Sequence, residues 1–223
     1  TAGLLAANTA TASAAIAADG LGKSEIPQVT LGRTGKKVPI LGMGTSWSLS
    51  PSFVQASLFS GVRYIDTSET YENTKCEKVL GEVLERLKAR DEIYLVTKCA
   101  SYRRSMGTGT TKLFEDRLNA SLERLKTDYV DCYYLHGLEG NQIELLSDPN
   151  VKAAFEALKK QGKTRFLGLS CHDAKLPEIL EAAADCGWID QVMFKYNFRD
   201  IGGKDRHDDL QRAIDKAVKA NLG

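Results

Sequence analysis

Hydrophobic spacing along the chain alternates between two periods. Short apolar, largely β-branched or aromatic runs at Ile40–Met43, Val62–Ile65, Ile93–Thr97, Tyr129–Leu135, Arg165–Leu169 and Asp190–Phe194 predict strands. Between them apolar residues recur every three or four positions over Phe53–Phe59, Cys76–Lys88, Leu113–Leu125, Val151–Lys160, Leu176–Ala184 and Leu210–Leu222, which predicts amphipathic helices. Gly61, Gly162 and Gly187 fall just beyond three of these helices, where a left-handed C-terminal cap is needed. Upstream, VTLGRTGKKVPILG carries two apolar segments around Arg33-Thr34-Gly35-Lys36, a hairpin signal.

Strands that alternate with helices imply right-handed crossovers and a parallel sheet covered on both faces. The choice lies between an open doubly wound sheet and a (β/α)8 barrel. The first strand–helix junction, Gly42-Met43-Gly44-Thr45-Ser46-Trp47, lacks the third glycine of a dinucleotide fingerprint. Titratable side chains recur at the same end of consecutive strands: Asp66 after the second, Lys98 after the third, His136 after the fourth. In a (β/α)8 barrel those ends share one rim, so the spacing favours the barrel.

Composition narrows the functions. A chain of 223 residues, 43% hydrophobic and 26% charged, supports one globular core, and a formal charge of +1 offers no broad field for nucleic acid or a membrane surface. Arg103-Arg104 reads as a solvated loop. Five cysteines without a C-x-x-C pair read as reduced thiols, and three widely spaced histidines predict no metal site. Residues 1–22 form a separate Ala-rich segment without charge before Asp19, with an A-x-A pattern at Ala12-Ser13-Ala14; it reads as the remnant of an export signal or as a flexible tail. Residues 23–223 form the barrel domain. Export of a cofactor-loaded protein would use the twin-arginine route, which accepts folded cargo.

The candidate chemistry centres on Asp66, Tyr71, Lys98 and His136. A phenol with an ordinary pKa of about 10 is a poor proton donor at neutral pH unless positive charge lowers it, and Lys98 would supply that charge. Asp66 would keep the ammonium protonated and in place. His136 could donate a hydrogen bond to a substrate carbonyl. None of the four donates a hydride, so reduction requires a nicotinamide cofactor. A lysine at a strand end could instead form a Schiff base, as in aldolases, although a neighbouring carboxylate disfavours the neutral amine.

The stretches LGRTGKKVPILGMGTSW, GVRYIDTSETYENTKCEKVLGEVL, EIYLVTK, LNASLERLKTDYVDCYYLHG and FEALKKQGKTRFLGLS together resemble the aldo-keto reductases. The resemblance implies a (β/α)8 TIM barrel with an N-terminal β-hairpin across its bottom, and reduction of a small-molecule aldehyde or ketone with NADP, or alternatively NAD. It implies Tyr71 as general acid, Lys98 and Asp66 as its tuning pair, and His136 as the group orienting the carbonyl. Thr45 and Asp66 match positions near the nicotinamide ribose, and Ser170 a position that holds the carboxamide. Two departures stand out: Cys171 replaces the usual Asn, and Met193 stands where Gln is usual, with Gln191 and His172 as candidate stand-ins. A reductase-like binding subunit without catalysis is the second reading. Six strand–helix units, where closure needs eight, predict a barrel that stops before its seventh strand and a piece that is inactive or poorly folded by itself. Oligomeric state has no signature in the sequence.

Overall fold

The computed structural model describes residues 21–100, 110–197 and 204–223. Most of the Ala-rich segment, Arg103-Arg104 and the rest of the 101–109 loop lie outside the described residues. Strands β1 (Gln28–Thr30) and β2 (Lys37–Pro39) form the antiparallel hairpin. Its turn closes on Gly35 at φ 65°, a left-handed position suited to glycine.

Six further strands follow: β3 (Gly42–Gly44), β4 (Tyr64–Asp66), β5 (Tyr94–Cys99), β6 (Val130–Leu135), β7 (Thr164–Cys171) and β8 (Gln191–Phe194). They pair in chain order, all parallel, as a curled sheet that makes half of a (β/α) barrel. Helices α1 (Pro51–Phe59), α2 (Lys75–Leu87), α3 (Thr110–Leu125), α4 (Pro149–Lys160) and α5 (Leu176–Cys186) cross between successive strands, and α6 (Lys204–Lys219) follows β8. Local chemistry sets the starts of two of them. Ser50 accepts from the Phe53 N–H and Asp148 from the Asn150 N–H, each followed by a proline in the first helical turn. No described helix is long and apolar enough to cross a membrane.

Strand alternation sorts side chains into two cores. Ile65, Leu95, Tyr133, Leu135, Leu167 and Leu169 point outward and pack on the helices in the main apolar cluster. Tyr94, Val96, Cys132 and Tyr134 point inward and form a second cluster with Val38 of the hairpin, flanked by Tyr64, Phe166 and Met193. Tight approaches need glycine at several described positions, Gly168 and Gly81 among them. A Cβ at Gly168 would lie 2.4 Å from the Tyr134 ring, and one at Gly81 would lie 2.3 Å from the Arg124 carbonyl oxygen. Gly81→Ala is therefore expected to cost about 1–3 kcal/mol by forcing α2 away from the end of α3, measurable as a lower urea midpoint at unchanged slope.

Residues 220–223 close back on the hairpin turn and on β8. The Arg33 guanidinium donates to the Ala220 carbonyl at 2.5 Å, and the Arg33 N–H to that of Asn221 at 2.6 Å. Gly223 exchanges backbone hydrogen bonds with Asp190 and Val192 along the outer edge of β8.

Two boundaries differ from the sequence reading. Ile40 and Leu41 are 62% and 57% exposed rather than buried in the first barrel strand, because the Ile40 N–H is taken by Pro27 of the hairpin and β3 starts only at Gly42. Helix α6 starts at Lys204, well before the first periodic leucine. Its early residues Arg206–Asp209 are exposed and carry no apolar signal.

Candidate active site

The inward column of β4 and β5 ends at the C-terminal rim on two charges. Asp66 closes β4, and Lys98 stands next to last in β5, one residue beyond Thr97, whose hydroxyl points outward and donates to buried Glu77 at 2.6 Å. Tyr71 lies in the turn after β4, and His136 directly follows β6. The structure brings all four together. Lys98 Nζ donates to Asp66 Oδ1 at 2.5 Å, to the Tyr71 phenol oxygen at 2.9 Å and to the Thr67 carbonyl at 2.9 Å. The His136 ring meets the Tyr71 ring edge-on, with centroids 5.6 Å apart.

Three acceptors match the three hydrogens of an ammonium, and Lys98 is only 1% exposed. That occupancy leaves no lone pair for attack on a carbonyl, which disfavours a Schiff base. Burial pushes the Lys98 pKa down and the Asp66 pKa up, and each group opposes the other's shift through its charge. Burial also raises the Tyr71 phenol above its ordinary value, with the Asp66 carboxylate acting in the same direction. The lowering expected from Lys98 is thus not the resting condition: desolvation and the carboxylate set the upward shift, and the phenol stands fully protonated. Asp66 Oδ2 is buried and has no hydrogen-bond partner.

The remaining candidates fall in different places. Thr45 is buried in the turn after β3, where its hydroxyl donates to that of Thr67 at 2.8 Å. Ser170 faces the interior, and its oxygen accepts from the Gly137 N–H at 2.9 Å. Cys171 faces the helices instead; its sulfur accepts from the Asp173 N–H, and burial pushes its thiol up to about 11. Met193 is the residue paired with Ser170 across the sheet. Gln191 shares Met193's side of the strand but sits deeper, paired with Gly168, and both ends of its amide are held by Tyr94 and Tyr64 at 2.7 Å. It therefore serves the interior rather than the rim. His172 remains at the rim in a recess with Asp173, Lys195 and Arg206, close enough that its charged form would lower the Asp66 pKa.

Sequence reading missed three features. Ser68 holds His136 Nδ1 at 2.9 Å, Thr67 supplies a carbonyl to Lys98, and Trp47, 86% exposed, overhangs a cavity of about 610 Å³ with Leu49 and Phe53 beside the rim. A buried apolar-strand pattern carries no mark for such loop contacts. Nor does it reveal the backbone of Glu72, Asn73 and Thr74, which takes three consecutive left-handed conformations at φ 48°, 52° and 72° between Tyr71 and α2. A β-branched residue is strained there, whereas asparagine tolerates the conformation. Thr74→Asn is expected to raise stability by about 1 kcal/mol, read as a higher denaturant midpoint.

The curled parallel sheet and its rim define a (β/α) barrel protein, and comparison with known proteins gives its family. The chain belongs to the aldo/keto reductase family, whose family model matches residues 46–223. It is 33% identical over 152 residues to the L-galactose dehydrogenase of Arabidopsis thaliana, covering 63% of this chain and 47% of that protein. It resembles the holo form of aldo-keto reductase AKR11C1 from Bacillus halodurans at TM-score 0.63 and 27% identity, over 77% of this chain and 58% of that one. A Klebsiella pneumoniae aldo/keto reductase in complex with NADP and acetate matches at TM-score 0.68 and 25% identity, over 88% of this chain and 66% of that one. The chain spans about half the length of the curated relatives it matches.

Proposed function

We propose that this chain carries the proton-handling half of a carbonyl reductase, with a small aldehyde or ketone as substrate and NADP as cofactor. The observation that carries the reading is the Lys98 ammonium bridging Asp66 and the Tyr71 phenol in one buried cluster. Tyr71 keeps its proton at rest and releases it to an oxygen only as negative charge builds there. At that moment Lys98, already donating to the phenol oxygen, stabilises the phenolate left behind. Asp66 keeps the ammonium charged and in place throughout. His136, set against the Tyr71 ring, donates a hydrogen bond to the carbonyl and fixes its angle. The apolar surface of Trp47 and Phe53 excludes water from the substrate's side of the rim.

A reduced nicotinamide supplies the hydride when bound. Residues toward that group fit in part. The unpartnered Asp66 Oδ2 can accept from a ribose hydroxyl, and the Ser170 hydroxyl keeps its own hydrogen to donate toward a carboxamide. Met193 and the outward-turned Cys171 add no polar contact.

The test mixes purified protein with NADPH, or NADH, and a panel of aldehydes and ketones while dihydronicotinamide absorbance is followed. Carbonyl-dependent oxidation is expected, faster with NADPH, where this chain stands within a complete barrel, and none from the 223-residue piece by itself. Tight cofactor binding with no turnover on any carbonyl would instead support a non-catalytic binding subunit.

A further inference from the structure

Ser68 is fully buried directly beside His136, and its two chain neighbours are both pinned. Thr67 is bonded through its hydroxyl to Thr45, through its N–H to the Val96 carbonyl and through its carbonyl to Lys98. Glu69 accepts from the Ala100 N–H at 3.0 Å, with Arg117 3.8 Å from its other oxygen. The Ser68 oxygen is therefore fixed in position. It lies 2.9 Å from His136 Nδ1 and 3.1 Å from the Thr70 hydroxyl, and it accepts from the Thr70 N–H at 3.3 Å.

Two hydrogen assignments satisfy these contacts, with the Ser68 hydroxyl donating either to His136 Nδ1 or to the Thr70 hydroxyl. A hydroxyl has one hydrogen to donate and two lone pairs to accept with. The Thr70 N–H occupies one lone pair of Ser68, and the Thr70 hydroxyl can occupy the other. In that assignment the remaining hydrogen goes to Nδ1, the shorter of the two contacts at 2.9 Å, while Thr70 itself stands farther from Nδ1, at 3.4 Å.

We propose that Ser68 sets the tautomer of His136: its hydroxyl donates to Nδ1 and so keeps the ring proton on Nε2. A neutral imidazole carries one proton, and the partner of one nitrogen decides what the other presents. Were the proton on Nδ1, donating to Ser68, Nε2 would turn a lone pair toward a carbonyl oxygen and repel it. The catalytic consequence rests on the carbonyl-reductase reading, whereas the tautomer itself does not. Ser68 is thus a positioning residue acting through His136.

Nitrogen NMR of the 15N-labelled protein tests it, because two-bond couplings from the ring hydrogens report which nitrogen is protonated. The expected result is a protonated Nε2 and an Nδ1 resonance shifted by an accepted hydrogen bond. Ser68→Ala should move the Nδ1 resonance to that of an unbonded nitrogen and lower kcat about tenfold with cofactor KM unchanged. A wild-type spectrum showing a protonated Nδ1 overturns the proposal, whatever the variants do. So does a Ser68→Ala protein whose His136 signals match wild type. Absence of carbonyl reduction alongside the expected spectra would leave the tautomer assignment standing and defeat the reductase reading alone.

Discussion

Replacing Tyr71 by Phe is expected, if the chain serves carbonyl reduction as proposed, to lower turnover by about 10²–10⁴-fold while cofactor affinity stays near its original value. The ring itself has two contacts to preserve: the Lys98 ammonium 4.6 Å from its centroid and the edge-on His136 imidazole. Phenylalanine keeps both. What disappears is the oxygen that Lys98 holds at 2.9 Å, and with it the phenol hydroxyl between the ammonium and the imidazole ring. Stopped-flow rates with saturating NADPH, set beside cofactor titration by fluorescence, separate the two effects. A variant that still turns over within a few-fold of wild type would remove Tyr71 from the chemistry. Other proton donors at the rim would then have to be sought, with His172 first.

Lys98→Met is the second large effect, and it falls on stability as well as on rate. The substitution leaves Asp66 8% exposed with no countercharge, a situation that costs about 3–5 kcal/mol when one member of a buried pair is removed. Its pH dependence has a definite sign. Burial already raises the folded-state pKa of Asp66, and losing the ammonium raises it further, while the unfolded value stays about 3.9. A carboxyl whose folded pKa exceeds its unfolded one favours folding most in its protonated form, so the variant's deficit shrinks as pH falls from neutrality toward that unfolded value and grows as pH rises. Chemical denaturation across that range reads the slope directly. The double variant Asp66→Asn, Lys98→Met should recover most of the lost stability and none of the activity. Such a result distinguishes a group kept for chemistry from one kept for folding.

Much of this arrangement is written in the chain's periodicities. Strand alternation alone sends Asp66 and Lys98 to the same inner face and Thr97 to the helices, and the wide spacing of Asp66, Lys98 and His136 is the repeat of one strand–helix unit. The boundaries failed where two elements compete for one segment: Ile40 is apolar enough for a barrel strand, yet its N–H already belongs to the hairpin. Height along a strand was equally hidden. Gln191 has the right face for the rim, but pairing with Gly168 sets it a pleat too low, and only register reveals that. The direction of the Tyr71 shift escaped for a related reason. Charge partners can be guessed from motif spacing, whereas desolvation depends on how completely the surrounding loops close over the phenol.

The clasp between Arg33 and the residues just beyond α6 carries a lesson about timing. Its two halves are 187 positions apart, so during translation the hairpin leaves the ribosome long before its partner exists. Until residues 220–223 emerge, the bottom of the growing barrel lacks its fastener, and the early strands depend on their own helices to stay shielded. A synonymous change that slows the ribosome between the hairpin and α6 would lengthen that exposed interval and lower soluble yield without altering a single side chain.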